Sequence, residues 1–223
     1  MGWLLKSLNS SIGKKIVMAV TGLSLILFLV VHLINNILLY AGREVFNSNV
    51  AMLDSVKPFV RVVEVILLLI FFFHIYNGLR LWFQNRKAAS GKYAVNASSE
   101  NSSVYSRTMV LSGSIILIFL ITHLATIWNA FNFGMGHAKP HDYYGVLEEW
   151  FANPFYALFY VIVMFLLGFH LNHAFQSAFQ TFGLNHKKYT PLIEKIGTIY
   201  AIVMAVGFAS VPIFFYISSL GGN

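Results

Sequence analysis

Long apolar stretches separated by short polar segments set the pattern of this chain. A helix must cross about 30 Å of hydrocarbon at about 1.5 Å per residue, and the pattern predicts five such helices. They cover residues 15–40, 58–85, 106–133, 154–182 and 194–218. The second span is the least obvious, because its charge-free run from Val65 to Leu79 is short and needs Glu64 and Arg80 at the membrane interfaces. We therefore predict an all-α integral membrane protein, with residues 1–223 forming one membrane domain.

The connecting segments give a second level of organisation. Residues 88–103, AASGKYAVNASSENSS, are small and polar, which is typical of a surface loop. Residues 141–154 combine aromatic and acidic side chains ahead of Pro154, and this pattern predicts a short interfacial helix that leads into the fourth span.

Composition and charge agree with a membrane location and suggest an orientation. Hydrophobic residues make up 57% of the chain and charged residues 10%, against about 25% charged residues in soluble domains. The N-terminal segment and the loops after the second and fourth spans hold eleven of the fifteen basic residues. Since cytoplasmic loops are enriched in Lys and Arg, the N-terminus is predicted to be cytoplasmic. The same bias accounts for the net charge of +7, so we expect no nucleic-acid partner.

An internal repeat relates the first four spans. TGLSLILFLVVH, residues 21–32, aligns without gaps with SGSIILIFLITH, residues 112–123. FHIYNGLRLWFQ, residues 73–84, aligns in the same way with FHLNHAFQSAFQ, residues 169–180. The first span is thus equivalent to the third and the second to the fourth, which predicts a four-helix bundle with a pseudo-twofold axis along the membrane normal.

Four aligned histidines carry the candidate chemistry, and they are His32, His74, His123 and His170. Counting along the spans puts His32 and His123 near the outer side and His74 and His170 nearer the cytoplasm, with about 10 Å between the two levels. Two imidazoles at one level can supply both axial ligands of a haem iron, so two pairs predict two haems. The chain has no cysteine, and any haem must therefore be held noncovalently. Gly22 and Gly113, close to the level of the inner pair, would admit a bulky macrocycle or a close helix contact.

The four histidines also allow other interpretations. They could be polar groups bonded between helices, or relay protons in a haem-free transporter. A non-haem metal site would need ligands clustered at one level, commonly with a carboxylate, and no acid lies mid-span. His173 competes with His170 as a ligand, but it aligns with Asn77, which cannot ligate a haem. His137, His141 and His186 fall in loops, where solvated side chains are usual.

Haem propionates need cationic partners near the membrane surface. Lys14 lies five helical turns before His32 and on the same face, while Arg80 and Arg107 flank the cytoplasmic ends of their spans. Each of these residues is a candidate propionate partner, and each could equally be a snorkelling charge. Arg80 is the weakest candidate, since it is about 120° around the helix from His74.

With these histidines in place, the chain resembles the dihaem cytochrome b subunit of succinate:quinone oxidoreductases. The resemblance runs from KKIVMAVTGLSLILFLVVHLINN through HLNHAFQSAFQTFGLNH to the last span. It implies a bacterial inner-membrane protein that carries two haems b and anchors a flavoprotein and an iron–sulfur subunit on the cytoplasmic face. It also implies a menaquinone-type substrate, whose protons an outer acid handles in some relatives. Glu44, Asp54 and Glu64 all lie in that region, and the resemblance selects none of them.

Two alternatives to this family remain open from the sequence. One is the cytochrome b of a membrane hydrogenase or formate dehydrogenase, which would also hold haem. The other is the haem-free transporter, which would be colourless.

Overall fold

The computed structural model describes residues 2–88, 104–134 and 141–221, and it shows helices joined by short connections. The nine α-helices in these ranges are α1 Trp3–Asn9, α2 Ser11–Ile37, α3 Arg43–Ser55, α4 Lys57–Ala88, α5 Val104–His123, α6 Asn129–Phe133, α7 Tyr143–Phe151, α8 Pro154–Thr181 and α9 Thr190–Gly221. A 3₁₀ turn, Leu38–Ala41, continues α2, and a π-helical segment, Leu124–Trp128, joins α5 to α6.

The five predicted spans are confirmed. They are Ser11–Ala41, Lys57–Lys87, Thr108–Phe133, Pro154–Thr181 and Thr190–Gly221, each long and apolar enough to cross a membrane. We call them the first to fifth spans. The fold is an all-α membrane protein, as the hydrophobic pattern indicated. The expected surface loop of residues 88–103 lies almost wholly outside the described residues.

Two helices were not predicted from the sequence. The first is α1, seven residues that end directly before the first span. The second is α3, which follows Gly42, a residue whose φ of +98° turns the chain sharply at the end of the first span. Both are short and mixed in polarity, so neither has the long apolar run by which the spans were found.

Side-chain caps fix where several helices begin. The Ser10 hydroxyl accepts a hydrogen bond from the Gly13 amide at 2.9 Å, which caps α2. Asn153 caps α8 by accepting from the amides of the two residues after Pro154, and Pro154 occupies the first helical turn, where its missing N–H costs nothing. The Asp142 side chain caps α7 in the same manner. The helix expected before the fourth span is therefore present, and both it and the fourth span begin at side-chain caps.

The fourth span, α8, is the centre of the bundle. It packs along α9 and also against α2 and α5, and its side chains Val163, Met164 and Leu171 lie in the core. The second span, α4, packs on α2 and touches α5 only slightly. The second span is therefore attached to the rest of the bundle chiefly through α2.

Two short helices cover one end of the bundle. Arg43 of α3 forms ion pairs with Asp142 and with Glu148 of α7, and its guanidinium lies 5.1 Å from the centre of the Tyr144 ring. These ion pairs raise the pKa of Arg43 against the opposing effect of burial, and Arg43 in turn helps to hold the pKa of Asp142 below its ordinary value. We call this the outer end of the bundle, and the end that carries α1 the inner end.

Candidate functional site

The histidines of the first and third spans form a pair toward the outer end. The ring centres of His32 and His123 are 6.0 Å apart, and the ring planes are inclined by 83°. Each ring is stacked on a phenylalanine one turn earlier in its own helix, Phe28 at 5.4 Å and Phe119 at 5.7 Å. Phe28 and Phe119 are the aligned Phe of the internal repeat, so the two halves of this pair are built alike.

The histidines of the second and fourth spans form a second pair, nearer the inner end. The ring centres of His74 and His170 are 6.5 Å apart, with the planes inclined by 62°. This pair contains His170, as the repeat predicted, with His173 one turn further along α8. Asn77, the residue that aligns with His173, is buried and donates its side-chain amide to the Phe73 carbonyl at 3.0 Å.

Both separations match what a metal ion between two imidazoles requires. A bond from a metal to an imidazole nitrogen is about 2.0 Å long, and the ring centre lies about 1.2 Å beyond that nitrogen. Two such ligands on opposite sides of one ion have their ring centres about 6.4 Å apart. A haem iron needs only two ligands from the protein, because the porphyrin supplies four nitrogen ligands. In the described part of the chain no three or more His, Cys, Asp or Glu side chains come together as a possible metal site.

Hydroxyl groups orient the two inner histidines. Thr21 Oγ1 lies 3.2 Å from Nδ1 of His74, and Ser112 Oγ lies 3.3 Å from Nδ1 of His170. Each hydroxyl already donates its proton to a carbonyl of its own helix, from Thr21 to Val17 at 2.7 Å and from Ser112 to its own preceding turn. With their protons bonded to these carbonyls, the hydroxyls are placed to accept from Nδ1–H, the tautomer that leaves Nε2 with its lone pair free for a metal.

Two glycines make room beside the same histidines. A Cβ built on Gly22 would lie 3.5 Å from Cε1 of His74, and a Cβ on Gly113 would lie 3.5 Å from Cε1 of His170. Any side chain larger than a methyl group would therefore press on the imidazole. Thr21–Gly22 and Ser112–Gly113 are the aligned hydroxyl–Gly pairs of the repeat, so one motif contacts each inner histidine and leaves space around it.

The contact between Gly22 and His74 also gives the spacing of the two pairs. Gly22 is at the level of the inner pair and lies ten residues, about 15 Å along the helix, before His32. This separation is larger than the roughly 10 Å expected from the sequence. The sequence estimate counted residues from the cytoplasmic end of each span and assumed that all these ends lie at the same depth. The two pairs therefore occupy clearly separate levels of the bundle.

The candidate cations at the inner end differ in their surroundings. Lys14 is 6% exposed, and its ammonium donates to the side-chain oxygen of Gln84 at 2.8 Å. Arg80 donates to Asn9 of α1 at 2.8 Å and so ties the second span to the N-terminal helix. The side chain of Arg107 lies outside the described residues, as does His137.

The three candidate acids at the outer end are also unlike one another. Glu44 is exposed on α3. Asp54 accepts a hydrogen bond from the Tyr143 hydroxyl at 2.6 Å and pairs with Lys57 at 3.2 Å, and the hydrogen bond from Tyr143 is the main cause that lowers the pKa of Asp54. Burial and the same bond raise the pKa of Tyr143 to about 12.

Glu64 is held more closely to the bundle than the other two acids. It pairs with Arg61 at 2.5 Å and accepts from the indole nitrogen of Trp128 at 2.9 Å. Trp128 belongs to the π-helical segment that begins immediately after His123. Glu64 therefore joins the second span to the third at the outer end, close along the chain to an outer histidine.

The sequence did not identify the residues that support the outer pair. Tyr160 of α8 lies with its hydroxyl 3.3 Å from Nδ1 of His123 and is 6% exposed. Its hydroxyl is 2.7 Å from that of Tyr156, one turn earlier. Both tyrosines stand in the run FYALFY, where an aromatic side chain is ordinary in a membrane helix, so no pattern distinguished them.

Comparison with known proteins agrees with the resemblance. Residues 14–100 match the family model of the succinate dehydrogenase/fumarate reductase transmembrane subunit. Searches of curated protein sequences and of solved structures gave no significant match. The matched segment covers the first two spans and contains Lys14, one histidine of each pair and the three outer acids. The third and fourth spans are related to it by the internal repeat. The predicted family resemblance is therefore confirmed over residues 14–100, which match the succinate dehydrogenase/fumarate reductase transmembrane subunit.

Proposed function

We propose that this chain is the dihaem cytochrome b subunit of a bacterial succinate dehydrogenase or fumarate reductase. In this role it anchors a flavoprotein and an iron–sulfur subunit and passes electrons between them and menaquinone. The proposal rests on the two histidine pairs, which come from four different spans. Within the pairs the ring centres are 6.0 and 6.5 Å apart. Both values fit one iron between two imidazoles.

His32 and His123 would hold the outer haem, and His74 and His170 the inner one. A haem between two imidazoles supplies one-electron transfer at a six-coordinate iron. The chain's own contribution is preorganisation. Phe28 stacks on the ring of His32, and Thr21 accepts from His74, so the imidazoles lose little rotational freedom when a metal binds.

Lys14 is the best supported partner for a propionate. A buried ammonium is costly unless an anion or several hydrogen bonds compensate for the lost water. The partner that the structure records for Lys14 is the neutral side chain of Gln84. Lys14 also lies seven residues before Thr21, two turns along the same face, and Thr21 contacts the inner ligand His74. A propionate of the inner haem would supply the missing negative charge.

The outer end is the proposed place of quinone chemistry. Reduction of a quinone consumes two protons, and a carboxylate at the membrane interface can pass them. Of the three acids, Glu64 is linked by Trp128 to the helix of an outer ligand, whereas Glu44 is exposed on α3. Asp54 is held by Tyr143 of the covering helix α7. We propose Glu64 and Asp54 ahead of Glu44 for proton transfer.

The inner end is the proposed docking face for the soluble subunits. Most of the basic residues belong to the segments at this end, which the positive-inside bias assigns to the cytoplasm. An iron–sulfur donor on that side would be nearer to His74 and His170 than to the outer pair. Electrons from that donor would then have to pass through the inner haem and the outer haem to reach a quinone at the outer end.

The haem content of the purified protein tests the proposal. A pyridine haemochrome assay should give two noncovalent b haems per chain. His32→Leu and His123→Leu should each remove one haem, and it should be the same haem by its visible spectrum. One haem or none in the wild type, or different haems lost in the two variants, would refute the assignment.

Activity of the assembled complex tests the direction of the path. In the His32→Leu complex, succinate oxidation with a soluble artificial acceptor should continue, while reduction of a menaquinone analogue should be lost. Quinone reduction that survives without the outer haem would place the quinone at the inner end and return Glu44, Asp54 and Glu64 to the role of surface acids.

A further inference from the structure

We propose that Tyr160 is a positioning residue for the outer ligand His123, fixing its tautomer and tuning the iron that it binds. This inference rests on the proposed function, since it assigns a role toward one of the two haems. Its basis is the 3.3 Å contact between the Tyr160 hydroxyl and Nδ1 of His123, and the chain of hydroxyl groups that continues from it.

The hydroxyl chain runs from the fourth span back to the third. The Tyr160 hydroxyl lies 2.7 Å from that of Tyr156, and the Tyr156 hydroxyl lies 2.6 Å from Oγ1 of Thr126. Thr126 in turn lies 2.7 Å from the carbonyl oxygen of Thr122. The chain thus starts at a histidine ring and ends at a backbone carbonyl of the same helix, one residue before that histidine.

The final bond determines the direction of all the others. A carbonyl can only accept, so Thr126 donates its one proton to Thr122 and must accept from Tyr156. Tyr156 has then used its proton and must accept from Tyr160. Tyr160 in turn can only accept from His123, whose Nδ1 therefore carries the hydrogen. The bonds are consistent with one tautomer, in which Nε2 of His123 is free to bind iron.

The surroundings of Tyr160 keep this arrangement rigid. Its ring lies 4.8 Å from Phe119 and 5.0 Å from Phe151, measured between ring centres. Phe119 is the same side chain that stacks on His123. Thr126 belongs to the π-helical segment Leu124–Trp128, a wider turn of the kind that often occurs at functional sites. Packing and hydrogen bonding therefore both act on the His123 ring.

The inner histidines have different hydrogen-bond partners, so the role of Tyr160 is specific to the outer pair. His74 and His170 each contact a single hydroxyl from the repeat motif, Thr21 or Ser112. Tyr160 lies ten residues before His170, and the equivalent position in the second span, ten residues before His74, is Glu64. The hydroxyl chain on His123 therefore has no copy in the repeat.

The test is a redox titration of the complete complex with Tyr160→Phe. A hydrogen-bond acceptor on Nδ1–H makes an imidazole a stronger electron donor and favours oxidised iron. Loss of the acceptor should therefore raise the midpoint potential of one haem, the one that His123→Leu lacks, and leave the other unchanged. Tyr200→Phe is the matched control, because this part-buried tyrosine donates to the carbonyl of Ile26 at 2.8 Å. It should leave both potentials as in the wild type.

Each outcome is decisive. Two unchanged potentials in Tyr160→Phe, or equal shifts of both haems, would overturn the positioning role. If Tyr160→Phe loses haem instead, loss of the His123-dependent haem alone supports the role, and loss of the other haem or of both overturns it. A wild-type protein without haem would refute the proposed function, whereas two haems with an unaffected Tyr160→Phe variant would refute this inference alone.

Discussion

Replacing Lys14 with methionine should lower the midpoint potential of the inner haem more than that of the outer haem. Met is similar in length, so the buried site stays filled while the charge is removed. Lys14 lies seven residues before Thr21, which contacts His74, and the charge is therefore about 10 Å from the level of the inner pair. Removing a positive charge makes the addition of an electron less favourable.

The magnitude follows from Coulomb's law. Two unit charges 10 Å apart in surroundings of effective dielectric constant 20 interact by about 1.7 kcal/mol. That corresponds to roughly a 17-fold change in the equilibrium between oxidised and reduced iron, or about 70 mV for one electron. The outer pair is about 15 Å further along the helix, so its shift should be less than half as large.

A matched control separates this effect from a general change in surface charge. Lys15 is the neighbouring residue and carries the same charge, but its side chain is exposed. Lys15→Met should therefore shift neither potential by more than a small amount, because water and salt screen an exposed charge. Lys14→Arg, which keeps the charge, should retain most of the wild-type potential.

The assay is a spectroelectrochemical titration of each variant, with the two haems resolved by their visible bands. Equal shifts in the Lys14→Met and Lys15→Met complexes would refute the propionate assignment, since burial would then make no difference. A shift confined to the outer haem would refute the placement of Lys14 beside the inner pair.

Two further predictions address the inner pair and the outer cover. Gly113→Ala should keep both haems, because its Cβ would lie at an ordinary contact distance of 3.5 Å from His170, whereas Gly113→Val should lose the inner haem in a haemochrome assay. Tyr143→Phe should destabilise the protein by about 1 kcal/mol at pH 7, since it removes a hydrogen bond to a half-exposed carboxylate. The Tyr143 bond lowers the pKa of Asp54, so its stabilisation is present above the ordinary Asp pKa and is lost as the pH falls through the lowered value. The difference in melting temperature between the wild type and Tyr143→Phe should therefore shrink below about pH 4. A difference that persists there would show that the variant is destabilised through packing and not through the hydrogen bond.

The sequence was sufficient for the spans and for which of the aligned histidines lie together in pairs. Long apolar runs identify membrane helices because the hydrocarbon thickness sets their length. The repeat then selected His170 over His173, and the structure brings His170, rather than a neighbour on the same helix, to His74. The repeat could select His170 because aligned positions in a repeat are structurally equivalent, whatever the rotation of each helix about its axis.

The supporting residues needed the structure. The hydroxyl of Thr21 was visible as part of the repeat, but its contact is with a histidine of another span, and sequence spacing within one helix cannot reveal that. Tyr160 acts across helices as well, and it has no repeat equivalent of its own kind. The helices α1 and α3 depend on packing against the ends of the spans rather than on an apolar period.

The repeat motif of the first and third spans serves both histidine pairs at once. Its first two residues, a hydroxyl side chain and a glycine, face the inner histidine of a neighbouring span, while its last residue is the outer histidine itself. Gly22 and His32 are ten residues apart, so the helix itself sets the separation of the two levels at about 15 Å. Inserting or deleting one residue between Gly22 and His32 would rotate the outer histidine by about 100° relative to the inner pair. The aligned copy from Gly113 to His123 has the same length, as it must if both ligands of each pair are to meet at one level.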